Sequence, residues 1–462
     1  MLQKLFNPIA RSAKMLLLVL GLSGSAAGQT GIDTGLANAL QNSIEYTRSL
    51  YNVKGISAAA YIPGKGMWKG VTGVSYGAVP IDTTMLFSIG SVTKTLVAAE
   101  IFKLIEGGLL SLSDTVGALL PAITNVNPSI TVAQLLGHRS GMGEFLNSSW
   151  QAAMNADLSA IWYFPSTLPA FLPVPAGPPG SPWQYCNSNY NLLGMIIESK
   201  TSDSLHKVLR TNFLQPLGLA NTHMEIFEPY ANSIPHNWAT PTMDPALATD
   251  ASATPHEALW SSVEAAGGYF SDAADMAKWG YNLYSGNVLS ATSLAQMLNY
   301  IPVSGGYFNG YGLGSMRFTN SGKTYYGHGG NYYGYAASML YYPVDSICVA
   351  VLINQDCIAT YEARMLMNVL INKLTTAITD LSQSSKISVH PNPACGSVQV
   401  TIGDLSDKAI ITCADMTGKV VYKTETNAIS NQINTSGFAD GMYLVTIAQG
   451  AQVTTKQIII KQ

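Results

Sequence analysis

The stretch Phe87-Ser-Ile-Gly-Ser-Val-Thr-Lys94 decides which fold we expect for most of the chain. Within it, Ser91 and Lys94 lie three residues apart at the start of an apolar segment that predicts a helix from about Val92 to Glu106. This spacing puts both side chains on one face of a helix, one turn apart. Burial would lower the pKa of the lysine, so that a neutral amine could accept the serine proton, and the helix N-terminus would favour the developing charge. The pair therefore predicts a nucleophilic serine with a lysine as its proton partner.

Two later segments offer groups that could work with this pair. Tyr185-Cys-Asn187 supplies a phenol that could shuttle protons and an amide that could bind a substrate carbonyl. Gly327-His-Gly-Gly330, followed by Asn331, predicts a strand whose backbone could approach a ligand closely and donate an N–H to an oxyanion. Each segment alone has a plainer interpretation, an ordinary loop for the first and a structural histidine for the second. The Ser-x-x-Lys spacing is equally weak alone, because Ser204-Leu-His-Lys207 also fits it and receives no role.

Composition narrows the classes of function. The 462-residue chain carries 24 basic and 27 acidic residues, which gives a formal net charge of −3. With no block of basic residues, nucleic acid is not expected as a partner. The five cysteines are an odd number, so at least one thiol is free or pairs between chains. No spacing of cysteine or histidine fits a metal site, and neither a metal nor another cofactor is expected.

The N-terminus has the pattern of an export signal. Positive residues precede the eight-residue apolar run Met15–Leu22, and small residues follow it as far as Gly28. The run is far shorter than the roughly 20 residues that cross a bilayer. We therefore expect a signal peptide over residues 1–28 and a mature chain without a transmembrane segment. Such a chain would be exported through the periplasm and secreted or held at the cell surface.

The order of predicted elements indicates an α+β fold over residues 29–379. The elements are, in order, a helix near 36–50, a hairpin over 55–74, mixed and mostly helical material over 110–300, short strands over 311–354 and a helix over 360–378. Strands near both ends of this region would join into one sheet, with the helical material inserted between them.

The chain changes character after residue 379. Residues 380–386 form a polar linker, and apolar strand patterns then recur between turn residues. The strands expected here are Ser397–Ile402, Ala409–Cys413, Met442–Ile447 and Gln457–Ile460. Their spacing predicts a small all-β sandwich over residues 387–462.

Taken together, the three chemical segments resemble, in order and approximate spacing, the triple motif of the serine β-lactamase and penicillin-binding protein superfamily. Three further segments are similar to the family: Leu135-Leu-Gly-His-Arg-Ser-Gly141, Ala266-Gly-Gly268 and Tyr311-Gly-Leu-Gly314. The resemblance covers about residues 50–372. It implies a β-lactamase-like fold, in which helices flank an antiparallel sheet and a mostly helical insertion interrupts it. Class C β-lactamases, D-alanyl-D-alanine carboxypeptidases, D-aminopeptidases and esterases of the family are the most similar members.

The resemblance implies three catalytic residues. Ser91 would form the acyl-enzyme, and Lys94 would be the activating base or would help Tyr185 to be one. Cys186 departs from the serine or alanine that the family usually has at this position. A side chain that points away from the pocket would make this change harmless.

The resemblance also implies a substrate-binding set of Asn187, His328, Gly330 and Asn331. Asn187 would hold the substrate amide, and the backbone N–H groups of Ser91 and Asn331 would form an oxyanion hole. His328 stands where β-lactamases usually carry a lysine. A histidine near its reference pKa of about 6.5 is mostly neutral at pH 7, which weakens the positive charge available to a substrate carboxylate.

Residues 387–462 are similar to the sorting domains of the type IX secretion system. The similarity is carried by Ile387–Pro393, Asp415–Tyr422, Ile433–Phe438, Gly441–Ile447 and Lys456–Lys461. It implies outer-membrane secretion machinery as a partner. A carbohydrate-binding or adhesive module is the alternative, although the segment has few aromatic residues for sugar binding.

These predictions lead to an exported serine hydrolase that acts through an acyl-enzyme on an amide, ester or β-lactam carbonyl. Its substrate would be a small molecule or peptide, with peptidoglycan-derived peptides as one source. Because of His328, a peptidase- or esterase-like activity is favoured over a dedicated β-lactamase. The alternative is a catalytically silent module that binds peptidoglycan peptides or a protein partner. The presence of Ser91, Lys94 and Tyr185 favours the enzyme, because a pure binder needs no nucleophile and base.

Overall fold

The structure, a computed structural model, describes residues 31–240, 247–304, 306–320, 322–383, 387–403, 408–415, 419–449 and 452–461. The predicted signal peptide lies outside these ranges. The described α-helices are α1 (Thr34–Tyr51), α2 (Thr93–Glu106), α3 (Val116–Leu119), α4 (Val132–Leu136), α5 (Ser148–Ala156), α6 (Phe164–Phe171), α7 (Asn187–Thr201), α8 (Leu205–Leu209), α9 (Glu257–Gly267), α10 (Ala273–Tyr284), α11 (Ala291–Met297) and α12 (Thr360–Gln383).

The strands fall into a large set that ends at residue 353 and a C-terminal set that begins at residue 387. The first set is β1 (Gly55–Ile62), β2 (Gly66–Tyr76), β3 (Val79–Pro80), β4 (Phe87–Ser88), β5 (His223–Met224), β6 (Trp238–Ala239), β7 (Thr249–Asp250), β8 (Tyr269–Ser271), β9 (Ile301–Pro302), β10 (Gly310–Tyr311), β11 (Met316–Asn320), β12 (Lys323–Tyr332), β13 (Tyr335–Tyr342) and β14 (Ile347–Ile353). The second set is β15 (Ile387–His390), β16 (Ser397–Ile402), β17 (Ala409–Asp415), β18 (Val420–Thr426), β19 (Ser430–Asn434), β20 (Gly441–Gln449) and β21 (Gln452–Ile460).

A nine-stranded sheet organises the large domain, in the order β3-β2-β1-β14-β13-β12-β11-β10-β9. The early strand β1 lies between β2 and the late strand β14, and both pairings are antiparallel. Every residue of β14 is buried, and alternate residues face two separate cores. Cys348 packs in the core that contains α2, whereas Val349 packs in the core that contains α1 and α12. This arrangement confirms the predicted α+β class, with a sheet built from both ends of the domain.

The helix that begins just after Ser91 is buried more completely than its sequence pattern suggests. Its apolar residues predict one buried face, but α2 is buried at every position from Thr93 to Phe102. It packs against α7, α8 and α9, so little of its surface meets water. A helix that is enclosed on all sides can bury polar residues within the domain, and both Lys94 and Glu100 are at most 1% exposed.

The C-terminal strands form the predicted all-β sandwich. A three-stranded sheet (β15-β16-β19) and a four-stranded sheet (β18-β17-β20-β21) share an apolar core that includes Val400, Ile411 and Val445. The predicted linker over 380–386 differs in its first residues, because α12 continues to Gln383. Asp380-Leu-Ser-Gln383 contains neither proline nor glycine, so nothing local stops the helix. Residues 384–386 lie outside the described chain.

None of the described helices combines the length and the apolarity that a bilayer span requires.

Candidate active site

Ser91 lies in a short 3₁₀ turn, Gly90–Val92, that leads directly into α2. Gly90 has a φ of +47°, a backbone conformation that glycine adopts easily. A Cβ on Gly90 would lie 3.0 Å from the backbone nitrogen of Asn331, so the glycine also allows β12 to come close. The local sequence thus places a half-buried serine hydroxyl between the N-terminus of a buried helix and a strand edge.

Lys94 is completely buried and its Nζ has three hydrogen-bond partners. The partners are Ser91 Oγ at 2.9 Å, Asn187 Oδ1 at 2.8 Å and the Ala266 carbonyl oxygen at 2.6 Å. Burial lowers the pKa of Lys94 to about 7, although the charge of Glu144 acts in the opposite direction. A neutral amine keeps two N–H groups, which match the amide and carbonyl acceptors, and its lone pair can then accept the Ser91 proton. Lys94 can therefore exchange a proton with the serine near neutral pH.

Tyr185 adds a neutral phenol beside the amine. Lys94 Nζ lies 5.0 Å from the centre of its ring. The Tyr185 hydroxyl is buried and makes no hydrogen bond of normal geometry to any described residue, although the Ser91 hydroxyl is near enough to lower its pKa. Burial outweighs this influence and raises the pKa of Tyr185 well above its ordinary value. A phenol that stays protonated at neutral pH can donate a proton to a leaving group but cannot be the resting base, so the geometry favours Lys94 for that role.

Glu144 is a site residue that the sequence analysis missed. Its Oε2 accepts hydrogen bonds from the backbone nitrogen of Asn187 at 2.8 Å and from Asn187 Nδ2 at 3.1 Å. The side chain of Asn187 therefore bridges Lys94 to Glu144. Glu144 ends the glycine-rich segment Gly141-Met-Gly-Glu144. Because only 11% of the residues in the sequence are charged, a carboxylate in this segment could have been recognised as a candidate site residue.

Cys186 lies between Tyr185 and Asn187 in the sequence, and its side chain is buried. Its Sγ donates to the Gly143 carbonyl oxygen at 3.4 Å, and burial raises its pKa to about 11. Its backbone nitrogen donates to His138 Nδ1 at 3.2 Å. The thiol is therefore protonated at neutral pH and held by the protein, so it does not compete with Ser91 as a nucleophile.

His328 makes its hydrogen bonds within the protein. Its Nδ1 lies 2.6 Å from the Gly329 carbonyl oxygen, and its Nε2 lies 3.2 Å from the hydroxyl of Tyr311. The ring is fully buried, and burial together with the charge of Lys94 lowers its pKa to about 3. A neutral imidazole supplies no positive charge to a substrate carboxylate. The backbone of β12 is then the part of this segment that is free to meet a substrate.

The end of β12 borders the nucleophile. The pairing of β11 with β12 ends at Gly327, whereas the pairing with β13 continues to Tyr332, so the described strand has one open edge over its last residues. A Cβ on Gly330 would lie 2.0 Å from the Ile89 carbonyl oxygen and 3.0 Å from the Ser91 nitrogen. No residue with a side chain fits there.

Asn331 follows on the same strand, and its side chain is turned towards the protein. Its Nδ2 donates to the Cys357 carbonyl oxygen at 3.0 Å. The group of Asn331 that lies beside the nucleophile is therefore its backbone nitrogen, near Gly90. This is the group that the predicted oxyanion hole requires.

An aromatic wall stands next to Tyr185, and the sequence analysis did not single it out. It consists of Trp183, Tyr307 and Phe308. The ring of Trp183 lies 6.4 Å from that of Tyr185 and 5.9 Å from that of Phe308. Tyr307 lies over the end of β12, where a Cβ on Gly329 would be 3.3 Å from its ring. Their positions in the sequence could have indicated this role, because the three aromatic residues closely precede the motifs that begin at Tyr185 and Tyr311.

The structure thus brings the predicted residues to one place. Ser91, Lys94 and Asn187 are joined by hydrogen bonds, Tyr185 packs on the amine, and Gly330 and Asn331 approach through their backbone. His328 lies beside Tyr185, with ring centres 6.4 Å apart, but its nitrogens bond elsewhere. Serine acyl transfer requires a hydroxyl nucleophile, a base, a proton donor and N–H groups for the oxyanion. The site provides them as a serine hydroxyl, an amine that can be neutral at pH 7, a neutral phenol and nearby backbone N–H groups.

The fold and these components define a β-lactamase-like serine hydrolase site. Residues 40–370 match the family model described as Beta-lactamase, and the chain belongs to that family. Residues 388–461 match the secretion system C-terminal sorting domain, which identifies the all-β sandwich as a type IX sorting domain. A domain of this kind indicates export, to the cell surface or the medium.

Several relatives of the chain are penicillin-binding proteins. The chain is similar to penicillin-binding protein 4* of Bacillus subtilis (strain 168), with 24% identity over 301 residues that make up 62% of this chain and 64% of the relative. It is also similar to penicillin-binding protein 4 of Amycolatopsis lactamdurans, with 28% identity over 191 residues, or 39% of this chain and 47% of the relative. The chain therefore spans about half to two thirds of the length of these relatives.

Solved structures show the same fold. D-amino acid amidase from Ochrobactrum anthropi SV3, complexed with L-phenylalanine amide, superposes with a TM-score of 0.66 at 22% identity and covers 74% of this chain and 100% of its own. D-stereospecific amidohydrolase from Streptomyces sp. has a TM-score of 0.59 at 27% identity, over 69% of this chain and 94% of its own. At 22% identity, the similarity to the D-amino acid amidase supports the fold alone.

Proposed function

We propose that this chain is an exported serine hydrolase that forms an acyl-enzyme on Ser91 and cleaves amide bonds of small D-amino acid derivatives or peptides. The observation that carries the proposal is the 2.9 Å contact between Ser91 Oγ and a completely buried Lys94 whose pKa is about 7. In this proposal, neutral Lys94 accepts the serine proton as Oγ attacks the carbonyl carbon. The backbone nitrogens of Ser91 and Asn331 stabilise the oxyanion, and Tyr185 donates a proton to the leaving amine. Water then attacks the ester on Ser91 and gives one proton to the Tyr185 phenolate, while the proton held by Lys94 returns to Ser91 Oγ. The acid product leaves, and the free serine, the neutral amine and the phenol are regenerated.

Two features of the site support amides without a carboxylate over β-lactams. His328 is neutral and bonded within the protein, so the position that usually carries a lysine holds no cation. Beside Tyr185, the half-buried rings of Trp183 and Tyr307 offer an apolar surface, with the buried ring of Phe308 packed behind Trp183. An aromatic side chain on the acyl group would fit this surface. The likeness to a D-stereospecific amidohydrolase points in the same direction.

Covalent labelling tests the nucleophile. A fluorophosphonate probe and a fluorescent penicillin are added to the folded wild-type protein, to Ser91→Ala and to Ser204→Ala. We expect the fluorophosphonate to label the wild type and Ser204→Ala equally and to leave Ser91→Ala unlabelled. Ser204 is a matched control because it also stands three residues before a lysine at the start of a helix. Equal labelling of Ser91→Ala would contradict the proposal, and no labelling of any folded variant by either probe would favour the silent binding module.

A substrate panel tests the chemistry of the acyl group. The panel comprises D-phenylalanine amide, L-phenylalanine amide, a D-Ala-D-Ala peptide, a p-nitrophenyl ester and nitrocefin, each compared by kcat/KM. We expect the D-phenylalanine amide to have the highest value among the amides and nitrocefin to be hydrolysed slowly. Fast turnover of nitrocefin together with inert amides would assign the site to β-lactams instead.

For the C-terminal domain, we propose that residues 387–462 direct the chain through the periplasm to the outer-membrane secretion machinery. The match to a sorting domain and the separate core of the β-sandwich support this role. Deletion of these residues is expected to leave the hydrolase domain folded and labelled by the same probe, but retained inside the cell that produces it.

A further inference from the structure

Three buried aromatic residues from three distant segments form a continuous hydrogen-bonded chain behind the site. They are His138, which lies two residues after α4, Tyr311 on β10 and His328 on β12, and each is at most 1% exposed. His138 Nε2 lies 3.0 Å from the Tyr311 hydroxyl, which in turn lies 3.2 Å from His328 Nε2. The catalytic scheme proposed above assigns no role to these three hydrogen-bonded residues.

The direction of both hydrogen bonds to Tyr311 follows from the outer contacts of the two histidines. The Cys186 backbone N–H can only donate, so His138 Nδ1 is an acceptor, and a neutral His138 must carry its proton on Nε2. The Gly329 carbonyl can only accept, so His328 carries its proton on Nδ1 and its Nε2 is an acceptor. Tyr311 therefore accepts from His138 and donates to His328.

Burial keeps both imidazoles in this neutral form. It lowers the pKa of His138 well below its ordinary value and that of His328 to about 3, and the charge of Lys94 acts in the same direction on both. Tyr190 is another phenol near Tyr311, and its hydroxyl donates to the Leu136 carbonyl oxygen at 3.1 Å. If Tyr311 donated to Tyr190 instead, a buried acceptor on His328 would lose its partner, which is costly.

His138 connects these hydrogen bonds to the loop that carries Tyr185 and to the first turn of α7, which carries Asn187. Its Nδ1 also faces Asn189 Nδ2 at 3.2 Å, and its carbonyl oxygen accepts from the Gln184 nitrogen at 3.0 Å. Its ring packs on that of Tyr185, with centres 4.3 Å apart. His138 thus binds the backbone on both sides of Tyr185 and the first turn of α7.

The backbone of His138 is strained. Its φ is +53°, in a left-handed region that residues other than glycine seldom occupy. Strain of this kind persists only where the surroundings hold it. The contacts at Cys186, Asn189 and Tyr311 are the ones that do so here.

We propose that His138, Tyr311 and His328 form a positioning relay of fixed hydrogen-bond direction that holds Tyr185 and Asn187 against Lys94. His328 then serves as the terminal acceptor of the relay, a task that a lysine at this position could not perform because an ammonium group has no lone pair. The catalytic part of this inference rests on the proposed hydrolase function. The tautomers that it assigns do not depend on any substrate.

Imidazole nitrogen NMR on the full-length protein tests the assignment. With ¹⁵N-histidine, and with signals assigned by their loss in His138→Gln and His328→Gln, we expect His138 to be protonated at Nε2 and His328 at Nδ1. Both should stay neutral between about pH 5 and pH 8. The opposite tautomer at either residue, or protonation of either ring in this range, would overturn the relay.

Tyr311→Phe breaks the relay while keeping the ring, and Tyr325→Phe is its matched control. Tyr325 is also fully buried, lies on β12 and donates to Asn368 Oδ1 at 3.4 Å. For Tyr311→Phe we expect His138 to stay protonated at Nε2, because the Cys186 N–H still donates to Nδ1, but we expect its Nε2 signal to shift because the N–H loses its acceptor. The amide of Cys186, observed with ¹⁵N-cysteine, should shift as well. Tyr325→Phe should leave both signals unchanged. Unchanged signals in a folded Tyr311→Phe would overturn the relay.

Labelling kinetics separate a positioning role from a purely structural one. In Tyr311→Phe, the maximal rate of fluorophosphonate labelling is expected to fall by about 10- to 100-fold, with a smaller change in the concentration that gives half-maximal rate. Tyr325→Phe should label at the wild-type rate. A Tyr311→Phe variant that labels as fast as wild type contradicts the relay. If the wild type itself is not labelled, the proposed hydrolase function fails, while the NMR signals still decide whether the relay exists.

Discussion

Ser91-Val-Thr-Lys94 and Ser204-Leu-His-Lys207 have the same spacing and both lie at the start of a helix, but their surroundings differ completely. Lys94 is 0% exposed and bonds three groups of the protein, including Ser91. The side chain of Lys207 is 64% exposed and pairs with Asp203 at 3.5 Å. The Ser204 hydroxyl contacts a histidine nitrogen at 3.4 Å and not Lys207. Spacing puts a serine and a lysine on one helix face, but only burial turns the lysine into a base.

The cause of the difference lies in the two helices. α2 has apolar residues along most of its length and is enclosed by α7, α8 and α9. α8 is five residues long, and its polar residues face outwards. Desolvation lowers the pKa of Lys94, and it requires an enclosure that α8 does not give to Lys207. The comparison can be tested by changing each lysine and the charges around it.

The largest expected effect comes from removing each amine in turn. Lys94→Met should lower the rate of Ser91 labelling by about 10²- to 10⁴-fold, because the serine loses its general base. Lys207→Met should leave the rate unchanged and the free energy of unfolding within about 0.5 kcal/mol of wild type. Labelling kinetics give the rates, and circular dichroism with thermal unfolding shows that both variants fold. A comparable loss in both variants would remove the distinction between the two segments.

The pH dependence of labelling should follow the protonation of Lys94. Only the neutral amine can accept the serine proton, and the pKa of Lys94 is about 7. The rate is therefore expected to rise about tenfold for each pH unit below pH 7 and to level off above it. Rate constants between pH 5 and pH 9 at constant ionic strength check this. A profile that is flat across pH 7 would show that the serine is activated without deprotonation of Lys94.

A smaller effect is expected from the carboxylate next to the pair. Glu144 raises the pKa of Lys94, so Glu144→Gln should lower that pKa and move the acidic limb of the profile to lower pH by up to about one unit. Glu106→Gln is the control, because this carboxylate lies at the far end of the same helix and bonds Lys103 at 3.0 Å. The acidic limb of the Glu106→Gln profile should stay at the pH of the wild-type limb. Movement of the Glu144→Gln limb to higher pH would contradict the assigned electrostatics.

Much of the fold could be predicted from local pattern alone. The continuous apolar run of β14 and the strand–turn–strand pattern of β1 and β2 are visible in the sequence, because a strand that is buried on both faces is apolar throughout and a hairpin carries turn residues between its strands. In the C-terminal sandwich, the sequence pattern predicts β16 with its exact bounds but does not predict β15, β18 or β19. The residues of β18 are exposed or half-buried and those of β19 mostly so, so neither shows an apolar face.

The order of the motifs by itself determined which residues would meet. Ser91, Lys94, Tyr185 and Asn187 were all recognisable from residue type and spacing, because a family resemblance depends on the linear sequence. The sequence also determined that His328 stands in place of a lysine. These inferences needed no knowledge of how the segments pack.

Only the tertiary structure decided what these residues can do. The pKa of Lys94 depends on enclosure by helices distant in the chain, and the bridge from Asn187 to Glu144 joins residues 43 positions apart. The tautomer of His328 is set by its neighbour Gly329 and by Tyr311, which meets it only when β10 and β12 fold into one sheet. Residue identity sets which protons a group can carry. Desolvation and hydrogen-bond partners decide which of them it keeps, and both arise from packing between segments that are far apart in the sequence.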